Sequence, residues 1–230
     1  MTPAATTARP ADTCPLYVDL DGTLTPSDTL YESVMLFIRR NPLNLLRLFM
    51  WLLRGKAGVN LQLANAVRPD PARLPYHERF VQYLREEHAR GRSLVLASAA
   101  DARIVREVAA HLKLFDDTLG TNARADGMNL SRGKKRDAIA AHALARGHST
   151  WAYAGNSADD LAVWQGSAQA VAVNAPGSVI TALQKVHPQA RVFEREPLRL
   201  KTVLRAIRLK QWSKNALLFV PLLASHRADP

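Results

Sequence analysis

Two aspartates and a glycine follow the first apolar run of the chain. Residues 19–22 have the sequence Asp-Leu-Asp-Gly and come directly after the apolar residues 16–18. Alternate residues of a strand project to the same side, so Asp19 and Asp21 can converge on one reacting atom. One carboxylate could attack phosphorus while the other transfers protons. The alternative is an ordinary strand that runs into an Asp-Gly turn.

Phosphoryl transfer also needs a hydroxyl donor and a fixed cation near those carboxylates. Residues 93–97, apolar from Leu94 onward, predict a second buried strand with Ser98 at its tip, before a helical pattern over 101–111. Ser98 could bind a phosphate oxygen or serve as an ordinary helix N-cap. Lys134 and Lys135 lie in the first turn of a helix that begins at Gly133. Lys135 is the preferred phosphate ligand, because Ile139 lies one turn later on the same, buried side.

A metal ligand is expected after a third strand. Residues 150–154 predict this strand, and Gly-Asn-Ser-Ala-Asp-Asp follows at 155–160. Mg²⁺ prefers a few protein oxygens together with water and substrate phosphate. Asp19, the backbone carbonyl of Asp21 and Asn156 are the predicted metal ligands.

With these four motifs in this order, the chain resembles the haloacid dehalogenase (HAD) superfamily of phosphatases. The resemblance implies an aspartyl-phosphate on Asp19, with Asp21 as general acid and then general base. It also implies that Thr23, Ser98 and Lys135 bind phosphate and that Asp160 supports the site by orienting Lys135. Asp159 is expected to be solvated.

One departure concerns the fourth motif. Many phosphatases of the family carry Gly-Asp where this chain has Gly155-Asn156. An amide oxygen can ligate Mg²⁺ but carries less negative charge than a carboxylate. Weaker metal binding and lower activity are therefore expected.

The fold class expected is α/β, with a Rossmann-like parallel sheet and a helical cap inserted after the first strand. Predicted strands lie near 15–19, 93–97, 150–154, 169–173 and 190–193. The expected division is a disordered leader at 1–14, a HAD-like core at 15–26 and 92–195, a cap at 27–91, and a final segment at 196–230.

The cap contains an apolar run, residues 43–53, that is too short to cross a bilayer. The run could be buried in the cap or lie in a membrane interface, and burial is the preferred interpretation. Asp28 could face substrate or cap the first cap helix, and the N-cap is preferred.

The formal net charge is +11, and cations are concentrated near the C-terminus. Residues 204–222 resemble the opening of a UbiA-type polyprenyl transferase, so 196–230 is expected to be a basic linker and the start of a truncated UbiA-type membrane domain. That resemblance implies a HAD–transferase fusion, membrane association through the C-terminal region, and a location on the cytoplasmic side. A soluble cytosolic enzyme with a basic tail is the alternative. No nucleic-acid module and no secretory signal peptide are recognised.

A single cysteine, Cys14, excludes a disulfide framework and is expected to be a small buried residue. The histidines His77, His88, His111, His142 and His148 show no metal-ligand spacing, so they are expected at the surface or at helix ends.

The function expected from these features is a magnesium-dependent phosphomonoester hydrolase, with a polyprenyl-linked or sugar phosphate as its substrate. The first alternative is a catalytically weak HAD-like module that binds or regulates a membrane prenyltransferase. The second is a phosphoserine phosphatase that acts on a free metabolite.

Overall fold

Six parallel strands form one sheet in a computed structural model that describes residues 14–53, 62–63, 65–121 and 133–194. The strands are β1 (Leu16–Val18), β2 (Leu94–Asp101), β3 (Asp117–Thr121), β4 (Ala152–Gly155), β5 (Gln169–Val173) and β6 (Arg191–Phe193). Their order across the sheet is β3-β2-β1-β4-β5-β6. The α/β fold with a Rossmann-like parallel sheet is therefore confirmed.

Helices connect the strands. They are α1 (Thr29–Arg40), α2 (Asn44–Leu52), α3 (Glu78–Ala89), α4 (Ala102–Leu112), α5 (Gly133–Ala145), α6 (Leu161–Trp164) and α7 (Gly177–Val186). Short 3₁₀ turns lie at Pro71–Arg73 and Ala158–Asp160. A parallel sheet needs such crossover connections, and they cover both of its faces.

The strand β1 lies at the centre of the sheet, between β2 and β4. Leu16 and Val18 belong to one hydrophobic cluster, and Tyr17 belongs to the cluster on the opposite face. All three residues are fully buried. Burial on both faces explains why this strand appears in the sequence as an unbroken apolar run.

The strands depart from the predicted set at two places. The edge strand β3 was not predicted, because its sequence Asp-Thr-Leu-Gly-Thr is only partly buried and lacks an apolar run. The strand β2 does not end at Ala97 but continues to Asp101, with an irregular register between these residues. Ser98 therefore lies within β2, just after its last regular pair.

Helices α1 and α2 lie in the connection between β1 and β2 and pack around a small cluster of their own. Phe37, Leu63 and Val67 form its buried centre. Helix α1 begins where Asp28 accepts a hydrogen bond from the Leu30 N–H at 2.7 Å. The predicted N-cap role of Asp28 is thus confirmed.

The preferred burial of residues 43–53 is wrong. Apart from buried Asn44 and partly buried Leu48 and Trp51, the segment is exposed. The physical reason is that α2 packs against α1 along one narrow side. Asn44 donates a hydrogen bond to the Phe37 carbonyl at 2.8 Å, and the Trp51 ring stacks on Phe37 at 5.0 Å between centroids.

His142 lies in the last turn of α5, as expected for a histidine at a helix end. Its Nδ1 is 2.9 Å from the Tyr17 hydroxyl and its Nε2 is 3.0 Å from Asp117. These contacts attach α5 to β1 and β3. Cys14 is buried, as predicted.

The predicted leader, apart from Cys14, and the UbiA-like segment lie outside the described residues. Within the part of the chain that the structure describes, no helix combines the length and apolarity needed to span a bilayer.

Candidate active site

Candidate site residues follow the carboxyl ends of the neighbouring strands β1 and β4. In the register of the sheet, Val18 lies beside Leu96 and Ala154, so the ends of β1 and β4 lie side by side, while β2 continues beyond them to Asp101. The Asp19 N–H continues the ladder by donating to the Ala154 carbonyl at 3.0 Å. This edge is where open parallel sheets bind their ligands.

Asp19 is buried and fixed through one of its oxygens. Its Oδ1 accepts a hydrogen bond from the Leu20 N–H at 2.9 Å and lies 3.0 Å from Nζ of Lys135. Lys135 is buried in the first turn of α5, whereas Lys134 is exposed. Since the described contacts of Asp19 use Oδ1, its Oδ2 is the oxygen suited to reach a ligand.

A second carboxylate, Asp160, lies behind the lysine. Its Oδ1 is 3.5 Å from Nζ of Lys135. Its Oδ2 accepts three hydrogen bonds, from the N–H groups of Asn156 and Ser157 and from the Ser157 hydroxyl. Asp160 therefore ties the loop after β4 to the lysine on α5.

Tyr153 bridges the lysine and this second carboxylate. Its hydroxyl accepts from Nζ of Lys135 at 3.0 Å and donates to Oδ1 of Asp160 at 2.6 Å. Burial, together with the charge of Asp160, raises the pKa of Tyr153 well above its ordinary value. The phenol therefore remains neutral and can donate. Tyr153 was not a predicted site residue, although a buried tyrosine hydroxyl in a strand usually has a specific partner.

Two buried carboxylates share one buried lysine, and their pKa values diverge as a result. Burial raises the pKa of Asp19 to about 7, against the opposing effect of Lys135. Burial acts in the same direction on Asp160, but Lys135, Tyr153 and backbone N–H donors outweigh it and hold the pKa of Asp160 below its ordinary value. Asp160 is thus the ionised partner, and a further cation beside Asp19 would favour its ionised form near neutral pH.

Asp21 is partly buried, and its side chain contacts the first residue of α1. Its Oδ1 accepts a hydrogen bond from the Thr29 N–H at 2.8 Å. Burial raises the pKa of Asp21 to about 6, although this hydrogen bond opposes the shift. A carboxyl group with that pKa can exchange a proton near neutral pH.

The loop after β1 also contacts the loop after β4. The Thr23 hydroxyl donates to Oδ1 of Asn156 at 3.3 Å. Gly22 has φ +75°, and a Cβ at this position would lie 2.0 Å from Nδ2 of Asn156. Only glycine permits both this backbone conformation and this close approach.

Ser98 is buried within β2, and its Oγ accepts a hydrogen bond from the Ala100 N–H at 3.1 Å. The structure thus joins Asp19, Lys135 and Asp160 by direct contacts and brings Thr23 to Asn156. No described hydrogen bond or ion pair joins Ser98 or the Asp21 side chain to these groups, but the charge of Asp21 contributes to the raised pKa of Asp19. Asp159 is exposed. The catalytic, phosphate-binding and metal-binding roles of all these residues stay predictions.

The oxygens available for a divalent cation fit Mg²⁺. Asp19, the Asp21 carbonyl and Asn156 offer a carboxylate, a carbonyl and an amide oxygen, and Mg²⁺ completes such sets with water and phosphate. No group of three or more His, Cys, Asp or Glu with metal-binding geometry occurs among the described residues. A cation at this edge would thus depend on the mixed oxygen set, and Gly22 has no Cβ that would crowd the Asn156 side chain.

Comparison with solved structures gives the same architecture. A protein of unknown function from Bordetella pertussis Tohama I is 17% identical, with a TM-score of 0.63 over 79% of this chain and 98% of that one. A substrate-bound phosphoserine phosphatase is 14% identical, with a TM-score of 0.56 over 84% of this chain and 98% of that one. At these identities the likeness shows the fold alone.

Sequence comparison gives a family and a longer relative. The chain is 32% identical over 216 residues to "Uncharacterized protein y4nM" of Sinorhizobium fredii (strain NBRC 101917 / NGR234). The match covers 94% of this chain but 40% of that relative. Residues 16–165 match the family model for haloacid dehalogenase-like hydrolases. This match includes β1, the Lys135 helix and the Asn156 loop, and the chain therefore belongs to the haloacid dehalogenase-like hydrolase family.

Proposed function

We propose that the protein is a magnesium-dependent phosphomonoester hydrolase that works through an aspartyl-phosphate on Asp19. The observation that carries this proposal is the buried Asp19, whose Oδ1 is held by Lys135 and the Leu20 N–H at the end of a central strand. A nucleophile fixed on a rigid strand loses little freedom when it attacks.

In the first step, Oδ2 of Asp19 attacks phosphorus, and the bond from phosphorus to the ester oxygen breaks. Asp21, protonated before the step, gives its proton to the departing oxygen. The pKa of about 6 at Asp21 keeps part of this group protonated near neutral pH. The products are the alcohol, an ionised Asp21 and the phosphorylated Asp19.

In the second step, Asp21 removes a proton from a water molecule that attacks phosphorus. The bond from phosphorus to Asp19 breaks, and phosphate leaves, while Asp21 is protonated again. Lys135 and the hydroxyl of Ser98 would donate hydrogen bonds to phosphate oxygens in both steps. Mg²⁺ bound by Asp19, Asp21 and Asn156 would supply positive charge that offsets the phosphate and favours ionised Asp19.

The test is hydrolysis of a generic chromogenic phosphomonoester by the full chain with Mg²⁺. Asp19→Asn should lower kcat by about 10³-fold or more, because covalent catalysis is lost. Acid-quenched parent protein should also retain radiolabelled phosphate that the variant does not. Turnover that is equal in the two proteins would show that Asp19 is not the nucleophile.

A second candidate function is a catalytically weak module that binds or regulates a membrane enzyme. Asn156 is the observation that favours it, because this amide brings less charge to the cation than a carboxylate would. Absence of turnover across a panel of phosphate esters, with Mg²⁺ or Mn²⁺, would support the module.

For the substrate we propose a polyprenyl-linked or sugar phosphate, hydrolysed on the cytoplasmic side of a membrane. The support is the UbiA-like sequence at 204–222, its preceding basic residues, and a relative that extends well beyond the matched length. A panel of lipid-linked phosphates, sugar phosphates and phosphoserine separates the possibilities. Strong selectivity for phosphoserine would instead identify a metabolite phosphatase, and full recovery in the soluble fraction of cells would contradict the membrane location.

A further inference from the structure

Helix α2 exposes an apolar face that the hydrolase proposal does not use. We call it the α2 apolar face, and it consists of Leu43, Leu45, Leu46, Phe49, Met50, Leu52 and Leu53. Each of these side chains is between 57% and 76% exposed. A surface helix ordinarily has polar residues on its outer side, so a continuous apolar face indicates a partner.

The direction of this face is fixed by contacts on the opposite side of α2. Successive residues of a helix are rotated by about 100°, so Asn44, Leu48 and Trp51 lie on one side of the helix. The seven exposed residues lie around the rest of its circumference. Asn44 and Trp51 are the residues that contact Phe37 of α1. The apolar face therefore cannot turn inward without losing the hydrogen bond and the ring stacking.

The sequence around the face carries charge of one sign. From residue 33 to residue 69 it contains no Asp or Glu, but it contains Arg39, Arg40, Arg47, Arg54, Lys56 and Arg68, of which Arg68 pairs with Glu107 at 2.6 Å. Arg39, Arg40 and Arg47 are exposed at the end of α1 and on α2. Arginine beside exposed leucine and phenylalanine is typical of helices that lie at the headgroup level of anionic membranes.

We propose that the α2 apolar face docks on an anionic lipid surface, with Arg39, Arg40 and Arg47 at the headgroups. Helix α2 would lie parallel to the membrane plane, because it is too short to span it. This inference does not depend on the hydrolase activity. It also adds a contact on the described domain that is separate from the C-terminal segment.

Charge favours lipid over two other possible occupants of the face, namely a second copy of the chain and residues 196–230 of the same chain. A second copy would bring the same arginines against one another. Residues 196–230 also carry more Lys and Arg than Asp and Glu. Anionic lipid is the partner that supplies both the missing negative charge and an apolar layer.

The test places an environment-sensitive fluorophore on the face of the full chain. Leu46→Cys carries the label, and Leu144→Cys is the matched control, since Leu144 is 71% exposed on a different helix. The buried Cys14 is replaced by alanine in both. With vesicles of phosphatidylglycerol and phosphatidylcholine, the label at 46 should shift to the blue and be quenched by nitroxides on the acyl chains, whereas the label at 144 should do neither.

A second measurement compares vesicle affinities of unlabelled full chains. Leu45→Ser and Phe49→Ser should each weaken binding by about tenfold, because each removes one apolar side chain from the contact. Leu144→Ser should leave affinity unchanged. Raising the salt concentration should weaken binding of the parent, because salt screens the arginines.

Several results would overturn the proposal. A label at 46 that stays in water while the protein is vesicle-bound would show docking elsewhere. A blue shift without lipid would identify another occupant: a second copy if the shift depends on protein concentration, and a segment of the same chain if it does not. Equal binding to pure phosphatidylcholine would remove the anionic partner, and equal responses at 46 and 144 would indicate nonspecific adsorption.

Discussion

Removal of one oxygen atom, by Tyr153→Phe, tests the buried charge network most directly. The Tyr153 hydroxyl contacts two ionised groups, Lys135 at 3.0 Å and Asp160 at 2.6 Å. A hydrogen bond to a charged group contributes about 1.5–3 kcal/mol to stability. Because Lys135 and Asp160 remain in contact with each other, the expected loss is near the middle of this range, about 2 kcal/mol.

The same substitution should lower kcat. Without the hydroxyl, Lys135 retains its contacts with Asp19 and Asp160 but loses the third oxygen that holds its ammonium group in place. A loss of about 1.4 kcal/mol in transition-state stabilisation corresponds to a tenfold decrease. We therefore expect kcat to fall by about tenfold while KM changes little, since the fully buried tyrosine would act on a substrate through Lys135.

The assay is urea unfolding followed by circular dichroism, together with phosphatase kinetics at a temperature where both proteins are folded. Tyr76→Phe is the matched control, because its hydroxyl donates to the uncharged Pro71 carbonyl at 2.8 Å. It should lose about 1 kcal/mol or less and retain its kcat. Equal stability losses for the two variants, with kcat unchanged at position 153, would refute the proposed network.

Three further outcomes are expected. Lys135→Met should reduce kcat by about 10²-fold or more, because it removes a buried cation from the site. Lys134→Met, at an exposed position, should leave kcat within about twofold. Similar decreases of kcat in the two variants would contradict the choice of Lys135 as the phosphate-binding lysine. Asn156→Asp should lower the Mg²⁺ concentration for half-maximal activity by about tenfold through its added charge, and an unchanged magnesium titration would remove position 156 from the metal site. Without metal, the free energy of unfolding should fall as pH rises from about 4 to about 7, because the pKa values of Asp19 and Asp21 are raised to about 7 and about 6 and only the folded state keeps those protons. Urea unfolding across this range should show a shallower fall for Asp19→Asn, and an identical slope would contradict the raised pKa.

The central strands could be predicted from sequence because they are buried on both faces. Leu16-Tyr17-Val18 has no polar residue to interrupt the pattern, and the same holds for residues 94–97. The edge strand β3 lacks this signal, since it pairs on one side only and all of its residues are partly exposed. Its position depends on pairing with β2 and on Gly120, where a Cβ would lie 2.5 Å from the Ala102 Cα.

The candidate site shows a similar division. Asp19, Lys135 and Asn156 could be selected because each lies just after a recognisable strand or in the first turn of a recognisable helix. The Tyr153 hydroxyl could not be assigned, because its partners come from α5 and the loop after β4, which the sequence does not place beside it. The direction of α2 depended on how few contacts attach it to α1, and apolarity alone does not distinguish a buried helix from one that faces a membrane.

The central position of β1 affects how the protein is made. Its first neighbour, β2, begins at Leu94, and its second neighbour, β4, begins at Ala152. During synthesis β1, which precedes Asp19, therefore remains unpaired on at least one edge until the ribosome has passed Gly155. Translation that stops before this residue should yield aggregation-prone polypeptides that depend on chaperones.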